Sequence, residues 1–85
     1  MIYKKTADGE RISAVTSDGI ALGYIQKARM GTHGHWRGWE HFVFSRKHEA
    51  YVPVYAYSEL DEPCHFNSIR DFKEYYNMKE DNSHE

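Results

Sequence analysis

The chain has 85 residues, a formal net charge of −2 and 15% aromatic residues. That length suits one domain with a modest core and excludes two independent cores. The lone Cys64 excludes an internal disulfide framework and fits a reducing cytoplasm. No apolar run approaches the ~20 residues that cross a bilayer, and the start lacks a signal-peptide core, so no membrane association is expected.

All six glycines fall in the first 38 residues, a pattern of turns between strands rather than helices. Ile2-Tyr3-Lys4-Lys5 reads as a short first strand ended by Asp8-Gly9. Residues 12–16 alternate apolar and polar. Ser17-Asp18-Gly19 then supplies a hairpin turn, because glycine accepts the positive φ that such turns need. Residues 20–28 form the returning strand, with Ile20, Leu22 and Tyr24 on one face. Residues 39–44 (WEHFVF) make a strand of aromatic and β-branched residues.

Residues 50–57 (AYVPVYAY) read as one further strand, with Tyr51, Pro53, Tyr55 and Tyr57 on one face and Val52, Val54 and Ala56 on the other. Proline lacks the N–H of a ladder, which places this strand at an edge or bulges it at Pro53. After the acidic segment 58–63, Ser68 is a helix N-cap with Asp71 three residues on. Ile69, Phe72, Tyr75 and Tyr76 then recur at helical spacing. The expected fold is α+β: an antiparallel sheet of four or five strands with one C-terminal helix packed on it, a single domain over 1–78 and a disordered polar tail over 79–85.

Charge divides along the chain. Residues 1–48 carry eight Lys and Arg against four acids, and residues 49–85 carry three against nine. Such asymmetry predicts one basic and one acidic surface if folding keeps the halves apart.

The stretch 31–42 (GTHGHWRGWEHF) holds three of the six histidines and both tryptophans. His33, His35 and Glu40 resemble part of the first metal motif of the cupin family, and that resemblance implies a metal held by two imidazoles and a carboxylate. The glycines around the histidines favour an inter-strand loop without metal, because ordering mobile ligands costs entropy. No cofactor is expected.

Catalytic patterns are sparse. Cys64 and His65 are sequence neighbours whose side chains diverge, and Asp61 and Glu62 sit in a solvated turn. Neither the Walker-type nor the dinucleotide-type glycine loop occurs. The expectation is a protein that is not an enzyme.

Two binding readings remain. Lys27, Arg29 and Arg37, interleaved with Trp36, suit phosphate contact and base stacking. Residues 20–78, through Phe66-Asn67-Ser68-Ile69-Arg70-Asp71-Phe72, resemble the DNA-binding domains of AP2 type and of phage integrase arm-binding modules, which implies a nucleic-acid partner. Against it, WEHFVF and AYVPVYAY contain no Lys or Arg, and the sequence pI is 6.3.

A protein partner needs fewer assumptions. Trp36, Arg37, Tyr51, Tyr55 and Tyr57 are hot-spot residue types, and Glu59, Asp61 and Glu62 suit a basic groove on a partner. The size and style are those of phage or mobile-element accessory proteins that bind and inhibit a host protein. A homodimer through the exposed edge strand is a further expectation.

Overall fold

The computed structural model describes residues 1–27 and 38–82. Among these residues six strands and one α-helix follow in chain order: β1 (Ile2–Lys5), β2 (Arg11–Val15), β3 (Ala21–Lys27), β4 (Trp39–Ser45), β5 (Ala50–Pro53), β6 (His65–Phe66) and α1 (Ile69–Asn82). All pairings are antiparallel, in the order β1-β2-β3-β4-β5, with β6 also against β4. This is the expected α+β architecture, with α1 covering one face of the sheet.

Local chemistry accounts for the elements. Gly19 adopts φ +88° in the β2–β3 hairpin, and the Thr16 side chain accepts from the Ile20 N–H at 3.0 Å. Ser68 Oγ accepts from the Asp71 N–H at 3.1 Å, satisfying an orphan donor at the start of α1. The helix runs to Asn82, four residues beyond the expected end of order at 78. Lys79 pairs with Glu62, and Glu80 pairs with the Met1 amino group at 2.8 Å, so the last turns are tied to two other elements.

The core lies between the sheet and α1, where Ile12, Ala14, Ile25, Phe66, Phe72 and Tyr76 are buried together. Strand alternation puts Ile12, Gly23, Ile25, His41, Val43 and Val52 on this covered face. Trp39 packs against the same cluster.

The expected eight-residue strand over 50–57 is shorter than its composition suggests. It ends at Pro53, and residues 54–56 turn into a 3-10 helix closed by the Tyr57 N–H on the Val54 carbonyl at 3.0 Å. The reason lies on β4. Continued in register, residues 54–56 would pair with His41, Glu40 and Trp39. Those positions are taken by Cys64, whose carbonyl accepts from the His41 N–H at 3.0 Å, and by His65 and Phe66 of β6. The single tyrosine face therefore does not exist: Tyr51 stays in the sheet, while Tyr55 and Tyr57 leave it.

Candidate interaction surface

The sheet face opposite α1 has no layer packed on it among the described residues. Its side chains fall into rows across the strands. One row is polar and joins Arg11, Gln26, Glu40 and His65; the next is Lys4, Ser13, Tyr24, Phe42 and Pro53. A third, apolar end holds Ile2, Phe44 and Tyr51, with Leu22 at the β3 bulge beside it.

The aromatic rings of this face support one another. Tyr24 and Phe42 are stacked with centroids 4.7 Å apart and planes 12° from parallel. The Arg11 guanidinium lies 4.3 Å from the Tyr24 ring centre. Tyr51 contacts both Tyr24 and Phe44, and its hydroxyl donates to the Ala21 carbonyl at 2.9 Å. With Arg11 against one side of Tyr24 and Phe42 against the other, the ring stands on edge. It presents a rim to solvent rather than a free π-face. Large apolar groups are exposed here: Ile2 is 48%, Phe44 47% and Leu22 37% accessible.

Both sides of the sheet carry mixed charge. The open face carries Lys4, Arg11 and Glu40, whereas the helix carries Arg70, Lys73 and Lys79 among Asp71, Glu74 and Glu80, with Glu62 paired to Lys79. Partial burial raises the Glu40 pKa.

The covered side contains a polar centre of its own. His41 is 0% accessible; its Nδ1–H donates to the Pro63 carbonyl at 2.8 Å, and its Nε2 accepts from the Tyr76 hydroxyl at 2.6 Å. Burial lowers the His41 pKa, partly offset by the Pro63 bond and the Glu62 charge, and burial raises that of Tyr76. With no exposed atom, His41 is placed to organise packing rather than to meet a substrate.

The candidate residues from the sequence scatter. Trp36, Arg37, Arg29, His33 and His35 lie outside the described residues. Tyr51 belongs to the open face. Tyr55 is 66% exposed beyond the end of β5. Tyr57 is half-buried against the His48 ring, 4.9 Å away. Glu59 and Asp61 are exposed, but Glu62 is committed to Lys79 and so is not free for a basic groove. Lys27 is exposed at the end of β3. Among the described residues no cluster of three metal-ligating side chains occurs.

Sequence reasoning passed over Arg11, Tyr24, Phe42 and Phe44. The signal was present in WEHFVF, where both alternating sets contain large apolar residues, which a strand with one solvated face does not need.

No helix among the described residues is long and apolar enough to cross a membrane. Comparison with known proteins finds no matching family model, no similar curated protein and no similar solved structure.

Proposed function

We propose that the chain is a non-enzymatic binding module for a protein, and that its contact surface is the open face of the sheet. The observation that carries this reading is the exposed row of Ile2, Leu22 and Phe44 beside the Tyr24–Phe42 stack. Exposed contiguous apolar surface of this kind marks interaction sites. The polar row of Arg11, Gln26 and Glu40 beside it has the character of an interface rim.

Protein is favoured over single-stranded nucleic acid because base stacking needs a free ring face. Arg11 and Phe42 occupy both faces of Tyr24. Inhibition of a host protein is a role within this reading.

The test is affinity capture from cell lysate, with nuclease, using the natural chain, Phe44→Asp and Tyr55→Ala. Phe44→Asp is expected to abolish capture of a discrete protein and to lower the thermal midpoint by roughly 4–8 °C while the chain still folds, because the Phe44–Tyr51 contact and a good strand former are lost. Capture that survives Phe44→Asp but not Tyr55→Ala would move the contact surface to the segment after β5. Recovery of nucleic acid alone, lost with nuclease or moderate salt, would replace the protein reading.

A further inference from the structure

We infer that the open face is self-complementary and that its occupant is a second copy of this chain, packed sheet on sheet about a two-fold axis running along β3. This rests on the reading of that face as the binding surface and names its partner. β3 is the central strand of five, so such an axis lays β2 of each copy over β4 of the other. Arg11 and Glu40 stand in the same row, on the strands either side of β3 and flanking Gln26.

The rotation therefore brings Arg11 of each copy over Glu40 of the other, giving two equivalent ion pairs. Tyr24 meets its own counterpart at the centre, and Phe44 lies toward the β2 side of the facing sheet. An isologous interface needs this kind of internal symmetry, in which residue i meets j and j meets i. Two sheets pack about 10 Å apart with strands within about 30° of alignment, a gap that an arginine and a glutamate span together.

The footprint is about 20 Å across the strands and about 15 Å along them. That is small beside a standard interface, so the self-association is weak.

Charge reversal tests the arrangement. Arg11→Glu and Glu40→Lys each place like charges opposite one another twice, and each should weaken self-association ~tenfold or more. Mixed in equal amounts, the two variants restore both pairs in a heterodimer, and so does the double variant within one chain. Sedimentation velocity from low micromolar to near-millimolar concentration reads the natural chain, both single variants, their mixture and the double variant, with circular dichroism checking that each is folded.

The expected result is a concentration-dependent dimer for the natural chain, monomers for each single variant, and recovery in the mixture and the double variant. A natural chain that stays monomeric throughout overturns the inference, while capture dependent on Phe44 would still uphold the module reading. Dimers indifferent to both reversals also overturn it, and direct attention to pairing through the free edge of β1 or β5. If the single variants fail to fold, recovery in the double variant alone decides: a dimer supports the inference and a monomer overturns it.

Discussion

At the scale of single residues, His41 is a fully buried polar group with both ring nitrogens bonded. Its ring is held in one tautomer, donating through Nδ1 to Pro63 and accepting at Nε2 from Tyr76. In the unfolded chain the imidazole takes up a proton near its ordinary pKa of about 6.5. In the folded chain burial holds the pKa below that value. As pH falls through this window the unfolded state binds more protons, so stability present above about pH 6.5 is lost on acidification, at up to about 1.4 kcal/mol per pH unit. Urea unfolding at about pH 7.5 and about pH 5.5 is expected to show an acid loss in the natural chain that His41→Gln lacks. Equal losses in both would assign the acid sensitivity to other groups.

At the scale of elements, the helix reaches β3 through the Tyr76 side chain. A Cβ built on Gly23 would collide with the Tyr76 hydroxyl and come within 2.8 Å of the Phe42 carbonyl oxygen. Gly23→Ala should therefore cost about 2 kcal/mol, the range for overpacking. Adding Tyr76→Phe removes the nearer obstacle, so the double variant is expected to be about 1 kcal/mol more stable than the two single losses predict together. Chemical denaturation of the four proteins measures this coupling, and strict additivity would place the obstacle elsewhere.

The hairpin at Asp18-Gly19, the strand WEHFVF and the Ser68 cap were legible because each is decided by neighbours in sequence. The end of β5 was not. Val54, Tyr55 and Ala56 suit a strand as well as the residues before them, but the ladder they would join is occupied by residues that arrive ten positions later. Competition for a shared edge leaves no mark in local composition.

At the scale of the whole molecule, the two sides of the sheet do different things. One side is closed by α1 around Ile25, Phe72 and Tyr76 and accounts for folding. The other carries stacked rings and a polar row, and its role was only partly visible in the sequence: Tyr51 was singled out, but Arg11, Tyr24 and Phe44 were absorbed into strand patterns. Their juxtaposition depends on register across three strands, which no single stretch encodes.

The same layout predicts how the molecule opens. β2, β3 and β4 are paired on both sides, whereas β6 is a two-residue strand on one edge. Native-state hydrogen exchange should find the slowest amides in β2, β3 and β4, and faster exchange at 58–66 by local opening. Protection of 58–66 equal to that of β4 would show that the whole domain opens as one unit.

Gly23, His41 and Tyr76 stand far apart along the chain, yet a single hydroxyl joins them. Any lineage that enlarged position 23 would first have to give up the hydroxyl at 76, and position 41 would then lose the donor that keeps a buried imidazole satisfied. Natural variation is thus expected to move these three positions as a set, and diverged descendants of this chain would carry that linked change as the trace of their common packing.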